Sequence, residues 1–359
     1  MLKPNSTIGI FGGGQLGRMT VHAAQRLGFK TVIFSDIPHS PASFASDKTI
    51  NADYLDEKAL KEFADLIDIA TFEFENIPVG AVDFVAQYKP VYPKSNVLRI
   101  TQNRLNEKDF VNSVGIKTAD YLAIKSKEDL MSGFKKFVLE NSDGVSGAVL
   151  KTATMGYDGK GQKVLRSDTD LEKVWNEFSG KELILEKFVD FESEASVIVA
   201  RSTNGEISCY KPLTNVHKDG ILRKSFYPSK TSQITVNKAI DYAKIIAEKL
   251  DLVGLLAIEF FVLKNGELLV NELAPRPHNS GHFSMDASYT SQFEQLIRAI
   301  CGMPLGNPEY HLNGYMENLI GDDILKIDEY LKNKNAKLHL YGKDKVMAGR
   351  KMGHINFLI

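Results

Sequence analysis

The chain is poor in the features that mark secreted, membrane or nucleic-acid-binding proteins. Its 359 residues include two cysteines, Cys209 and Cys301. They lie far apart, without metal-ligand spacing, so neither a disulfide framework nor a thiolate zinc site is expected; two buried thiols in a reducing cytosol are. No stretch reaches the roughly 18 uninterrupted apolar residues of a membrane span. The net charge of −1 supplies no basic field for nucleic acid or anionic lipid. The N-terminus carries Pro4 and then a glycine-rich turn, not the pattern of a secretory signal. Repeats and low-complexity tracts are missing as well. These absences leave a cytoplasmic globular chain whose length suggests two or three domains with ample core.

What is present concentrates in residues 254–282, GLLAIEFFVLKNGELLVNELAPRPHNSGH. Two apolar runs flank Asn265-Gly266, a strong hairpin signal. Taken as a two-residue loop, this pair places Lys264 opposite Glu267, Leu263 opposite Leu268, Phe261 opposite Val270, and Glu259 opposite Glu272. Both strand faces read as apolar, so the two carboxylates must share a proton or a cation. Mg²⁺ suits them, being commonly held by one or two carboxylates plus substrate phosphates. The plainer alternative is another register, with both carboxylates splayed into water. The prolines make Ala274–His282 a stiff, non-helical loop. It carries the donors Arg276, His278, Asn279 and Ser280, which suit an anionic substrate.

The chain opens with a strand at Ser6–Phe11, a helix from the Gly12–Gly17 turn to about Leu27, and a strand at Thr31–Ser35. Gly12, Gly14, Gly17 and Asp36 fit a dinucleotide fingerprint, although a tight strand-to-helix turn alone would need such glycines. The strand Ile69–Phe74 ends in Glu73 and Glu75, where open α/β sheets take ligands; the alternative is a polar turn with Asn76 capping a helix. Further on, Ala148–Thr152 is a strand carrying Lys151, followed by Gly156–Gln162 with three glycines in six positions. Their amides can wrap an anion, though not with Walker A spacing. A fixed lysine beside a glycine-rich flap with its own Lys160 divides labour as phosphoryl transfer requires; a simple hairpin turn is the alternative. Leu183–Val189 is another strand, and the nearby Glu192 and Glu194 could hold ribose hydroxyls or form a solvated face. Near the end, Lys343, Lys345, Arg350 and Lys351 crowd one turn, suiting a phosphate monoester or a wet loop.

Seven segments carry a resemblance: GIFGGGQLGRM, TFEFENIP, GYDGKGQ, EKFVDFESE, NVHKDGI, NELAPRPHNSGH and GRKMGH. In this order they resemble the N5-carboxyaminoimidazole ribonucleotide synthetase family of the ATP-grasp superfamily, which acts in purine biosynthesis. NELAPRPHNSGH together with GYDGKGQ is highly specific, whereas GGGQLG alone is not. The resemblance implies an α/β and α+β fold: a Rossmann-like domain at 1–103 that binds no dinucleotide, an ATP-grasp domain with its lid at 104–300, and a small C-terminal domain at 301–359. It implies ATP between Lys151, the lid (Gly156, Tyr157, Asp158, Gly159, Lys160, Gly161, Gln162) and the bend Glu186, Lys187, Phe188, Val189. Glu194 would hold the ribose; Arg104, His217, Asn271 and Glu272 would complete the nucleotide site, and Glu259 with Glu272 would hold Mg²⁺. Aminoimidazole ribonucleotide would meet Glu75, Tyr157, Asp158, Arg276, His278, Asn279 and Ser280, with its phosphate on Lys343, Arg350 and Lys351. Met155 departs from the pattern, which leads one to expect glycine there.

The implied chemistry attaches a carboxyl group from bicarbonate, activated by ATP as carboxyphosphate, to the imidazole's exocyclic amine. Lys151, Arg276 and Asp158 are the expected catalytic residues, with Asp158 handling a proton. No protein nucleophile is needed, and no convincing Ser-His or Cys-His set is present. A homodimer is usual for such enzymes. Competing readings are a formate-using glycinamide ribonucleotide transformylase, an NAD-dependent oxidoreductase built on Gly12, Gly14, Gly17 and Asp36, and a nucleotide sensor without turnover.

Overall fold

The computed structural model describes residues 1–140, 146–156 and 161–359. At the N-terminus, β1 (Thr7–Phe11), α1 (Gln15–Arg26), β2 (Lys30–Ser35), β3 (Lys48–Asn51) and β4 (Ile69–Phe72) build a parallel sheet in the order β3-β2-β1-β4. Apolar side chains run nearly unbroken through β1, β2 and β4 because both faces of this sheet are covered. The order reverses between β1 and β4, so the turn after β1 and the residues after β4 share one crevice.

The helix α2 (Arg104–Ser113) leads into a second sheet made of β5 (Tyr121–Ile124), β6 (Ala148–Thr152), β7 (Gln162–Leu165) and β8 (Leu183–Lys187), in the antiparallel order β5-β8-β6-β7. The largest sheet gathers β9 (Phe191–Arg201), β10 (Ile207–Cys209), β11 (Leu213–Lys218), β12 (Ile221–Tyr227), β13 (Gly254–Leu263), β14 (Leu268–Ala274), β15 (Gly314–Ile320), β16 (Ala336–Leu340) and β17 (Lys351–Leu358). Its order is β14-β13-β9-β11-β12-β15-β17-β16, with β10 beside β9. Because β12 pairs with β15, the segment after residue 300 extends the same sheet.

Two helices seal this sheet. Ala239, Ala243, Ile246 and Ala247 of α3 (Gln233–Lys249) pack on Val197, Val199, Leu256, Ile258 and Phe260. Leu296, Ile297 and Ile300 of α4 (Gln292–Ile300) share a core with Ile8, Ile10 and Val21, tying the first sheet to the largest. Burial of such side chains stabilises by about 1.5–3 kcal/mol each. Among the described residues, no helix is long and apolar enough to cross a membrane.

Candidate active site

The hairpin brings Glu259 opposite Glu272, by a route that differs from the sequence expectation. The Leu263 amide donates to the Glu267 carbonyl at 2.8 Å, and the Gly266 amide to the Leu263 carbonyl at 2.8 Å. The loop is therefore three residues long. Gly266 takes φ +80° while Asn265 does not enter positive φ, so a type I′ turn is ruled out and the glycine-ended three-residue loop is used. Val262 then faces Leu268, Phe261 faces Leu269, and Phe260 faces Val270, one residue off the expected pairing. The register shifts back between Phe260 and Glu259, where Asn271 is the extra residue of a β-bulge. The longer loop and the bulge cancel, and the carboxylates meet.

The bulge lets the consecutive residues Asn271 and Glu272 both line the cleft. Nor are the two strand faces equally apolar: Ile258, Phe260 and Val262 are buried, whereas Glu259, Phe261 and Leu263 are half-buried. Glu259 and Phe261 line the cleft, and Phe261 stacks on Phe191 with ring centroids 4.7 Å apart. The cavity volume is about 740 Å³, within the usual range for small-molecule sites.

Burial, and then the Glu272 carboxylate, push the Glu259 carboxyl up to about 7. His278 Nε2 lies 3.6 Å from Glu259 Oε1. Burial and the Arg276 charge hold His278 well below the usual histidine range. Ligand atoms of Glu259, Glu272 and His278 all lie within 4.8 Å of one another. Two opposed carboxylates, one inclined by burial and its neighbour to keep a proton, fit a hard divalent ion.

Beside them runs a chain of buried charge. Arg104 Nη1 is 3.5 Å from Glu272 Oε2. Lys151 donates to Glu186 Oε2 at 2.8 Å, and Lys108 Nζ approaches Glu186 Oε1 at 3.4 Å. Burial opposes charge on Glu186, but Lys108, Lys151 and Arg104 outweigh it and hold the carboxyl down at about 2. His217 is half-buried; burial disfavours its charge, yet its Nδ1 bond to Glu194 at 2.7 Å raises its pKa. Lys187, Phe188 and Val189 line the same wall.

The donor-rich loop is already partnered. Arg276 grips Glu75 through Nε and through Nη2, the latter at 2.8 Å. Burial works against Glu75, but Arg276 holds it down at about 2. Gln102 donates to the carbonyls of Glu75 and Ile77 at 2.7 Å each, fixing that turn. Ser280 is fully buried rather than presented to ligand: its hydroxyl accepts from Ser196 at 2.8 Å and bonds His278 Nδ1 at 2.9 Å, orienting the ring. Asn279 lines the cleft, and its side-chain oxygen and nitrogen have no partner among the described residues. Contrary to the all-loop expectation, Asn279–Phe283 forms a 3₁₀ turn started by His278, whose ring accepts from the Ser280 amide at 3.3 Å.

Glu73 resolves the glycine-rich turn. Its carboxylate accepts from the Gly14 amide at 2.5 Å and the Gly17 amide at 2.9 Å, filling the helix N-terminus that a dinucleotide pyrophosphate would need. A Cβ at Gly14 would come within 2.5 Å of Glu73 Oε1, so the glycines admit a carboxylate of the chain itself. Asn76 caps no helix; the helix Val79–Ala86 begins at Pro78 without a side-chain cap.

Among the C-terminal cations, Lys351 lines the cleft and Lys343 donates to the Lys351 carbonyl at 2.7 Å. Arg350 Nη1 donates to the Lys345 carbonyl at 2.9 Å, off the described cleft wall. Of the lid, Gly156 and Gln162 line the cleft, whereas Tyr157, Asp158, Gly159 and Lys160 lie outside the described residues. Gly161 has φ +71°. Met155, where glycine was expected, sits at φ +62°, a conformation glycine adopts without strain. The sequence reading missed Gln15, Glu107 and Lys108; the only signal for Glu107 and Lys108 is their helical spacing from Arg104, legible once the cleft is known.

Three family models match in tandem: the ribonucleotide synthetase preATP-grasp domain over residues 5–102, the ATP-grasp domain over 109–293, and the phosphoribosylaminoimidazole carboxylase C-terminal domain over 314–359. The N5-carboxyaminoimidazole ribonucleotide synthase of Brucella melitensis biotype 1 is 47% identical over 359 residues, covering 99% of this chain and 96% of the relative. The chain belongs to the N5-carboxyaminoimidazole ribonucleotide synthase family. A crystal structure of the ADP complex of an N5-carboxyaminoimidazole ribonucleotide synthetase superposes with TM-score 0.95 at 42% identity, covering 100% of this chain and 94% of that one. An Aspergillus clavatus synthase in complex with ADP and 5-aminoimidazole ribonucleotide superposes with TM-score 0.90 at 28% identity, covering 99% and 94%. Like other members of the synthase family, the chain has a preATP-grasp domain, an ATP-grasp domain and a small C-terminal domain. This excludes the oxidoreductase reading, as Glu73 does on physical grounds.

Proposed function

We propose that the cleft performs the family's reaction, the ATP-dependent carboxylation of 5-aminoimidazole ribonucleotide to N5-carboxyaminoimidazole ribonucleotide, with bicarbonate as carboxyl donor and ADP and phosphate as further products. The single observation that carries the site assignment is the opposition of Glu259 and Glu272 beside the Lys151–Glu186 pair in one cleft. Glu259 and Glu272 would hold Mg²⁺, which supplies charge neutralisation for the triphosphate. Lys151 and Arg104 bring cations to the nucleotide side, and Glu194 with His217 suits ribose hydroxyls.

The γ-phosphoryl passes to a bicarbonate oxygen, giving carboxyphosphate and ADP. The exocyclic amine then bonds the carboxyl carbon, the carbon–oxygen bond to phosphate breaks, and the nitrogen loses a proton, a step we assign to Asp158 of the lid. Such chemistry asks the protein for positioning, charge and water exclusion rather than a nucleophile. We assign the Glu75–Arg276 pair, Tyr157, His278 and Asn279 to the imidazole and its ribose, and Lys343, Arg350 and Lys351 to its phosphate. Ser280 acts through His278. The proposal includes a cytoplasmic homodimer with small-molecule substrates and no nucleic-acid or membrane partner.

ADP release measured with and without aminoimidazole ribonucleotide and bicarbonate tests the reading. Release should need both; release supported by formate and glycinamide ribonucleotide instead would assign a transformylase, and tight ATP binding without turnover a sensor.

A further inference from the structure

Glu107 and Lys108 of α2 belong to no motif, yet both are almost fully buried against the site. Arg104, Glu107 and Lys108 stand at i, i+3 and i+4, so one helical face presents all three. That face meets β14, the edge strand of the largest sheet, where the Asn271 bulge interrupts the ladder. An edge strand leaves backbone groups unpaired, and a bulge leaves more. Here α2 and the segment after it supply the partners. The Leu273 amide donates to Glu107 Oε1. Lys108 Nζ reaches the Asn271 carbonyl at 3.5 Å, and the Val270 amide donates to the Lys117 carbonyl at 2.9 Å. The inner side of this bulge carries Asn271 and Glu272.

The same helix also reaches the nucleotide wall. Lys108 lies 3.4 Å from Glu186 Oε1, and Glu186 Oε2 accepts from Lys151. At its start, the Arg104 amide donates to the Ala153 carbonyl at 2.8 Å, two residues beyond Lys151. One rigid helix therefore spans the metal-side strand and the phosphate-side strand.

We propose that Glu107 and Lys108 are positioning residues for the reaction: acting through Leu273, Asn271 and Glu186, they fix the distance between the carboxylate pair and Lys151. Neither needs to touch substrate. Burial pushes the Glu107 carboxyl up to about 8 against the pull of Arg104 and Lys108, so at neutral pH it is mostly neutral and glutamine is a faithful replacement. The inference rests on the reading of this cleft as the ATP and metal site.

The test uses Glu107→Gln, Glu107→Leu and Lys108→Met in the full chain, with steady-state kinetics in ATP, Mg²⁺ and aminoimidazole ribonucleotide. Losing an outer partner of a metal site typically costs about 10–100-fold, so Glu107→Leu should lower kcat and raise the half-saturating Mg²⁺ concentration by that order, with the ribonucleotide KM within about twofold of wild type. Glu107→Gln should recover most of the loss. Lys108→Met should raise the ATP KM about tenfold or more, leaving the ribonucleotide KM in place. Wild-type Mg²⁺ dependence in Glu107→Leu, or a ribonucleotide KM that climbs in step with that for ATP, would overturn the proposal. Should Glu107→Leu fail to unfold cooperatively, Lys108→Met decides by the same criteria. Should the wild type show no ribonucleotide-dependent turnover, the functional reading falls separately. Calorimetry of Mg²⁺–ADP binding and hydrogen exchange at the Leu273 amide then decide: weaker binding and faster exchange in the variants support the clamp, and unchanged values reject it.

Discussion

Glu259 and Glu272 face each other across the β13–β14 hairpin although the register slips by one residue between them and the turn. The extra residue is Asn271, and the slip makes a specific prediction. Deleting Asn271 lets the ladder run from Val270 straight to Glu272 with Glu259 still opposite. The variant should fold and retain its carboxylate pair, but lose the Asn271 side chain and the added twist at the cleft. ATP KM should rise about tenfold, roughly the loss of one hydrogen bond to a charged group. Steady-state kinetics with thermal unfolding checks this; an unchanged KM would make the bulge irrelevant to nucleotide binding.

Glu259, pushed up to about 7 by burial and Glu272, makes metal binding pH-dependent. Below that pH an arriving cation must displace a proton, so affinity for Mn²⁺ should fall about tenfold per pH unit between pH 7 and 5. Above pH 8 it should level off. Calorimetric titration across this range gives the profile, and Glu259→Gln should flatten it.

The Glu75–Arg276 pair predicts a pH dependence of stability in a more acidic range. Glu75 titrates at about 2 in the folded protein, below its ordinary 4.5. A depressed carboxyl stabilises above the unfolded pKa and loses that contribution as pH falls toward the folded one. The shift from 4.5 to about 2 corresponds at most to about 3 kcal/mol, present above pH 5 and lost between about 4.5 and 2. Urea unfolding of wild type and Glu75→Gln should show a gap at pH 7 that closes toward pH 2. A pH-independent gap would assign the effect to packing.

Glu73→Ala should destabilise by about 1–3 kcal/mol, because the Gly14 and Gly17 amides lose their acceptor. Denaturant titration measures it. In the wild type, NADH fluorescence should not change on mixing, since Glu73 occupies the anion position.

These contrasts show where the sequence was legible. Alternating strand and helix signals placed β1, α1, β2, β6, β8, β13 and β14 close to their observed bounds, because apolar periodicity and the flanking glycines and prolines report local conformation. The meeting of Glu259 and Glu272 was read correctly from an incorrect turn, since a three-residue loop and a bulge offset each other. A bulge has no compositional signature, so Asn271 as the extra residue could not be foreseen. The partners of Arg276 and of Gly14 were equally hidden, because Glu75 and Glu73 lie 201 and 59 residues away. Glu107 and Lys108 act across more than 160 residues, a separation at which local pattern carries no information.

The most direct measurement is a diffraction experiment on crystals of this protein grown with ADP and Mn²⁺, locating the metal by its anomalous signal. The account predicts an ion bonded to carboxylate oxygens of both Glu259 and Glu272, at about 2.0–2.3 Å, and to the nucleotide's terminal phosphate. An ion bound elsewhere, or a nucleotide whose phosphates lie away from these two side chains, would contradict it.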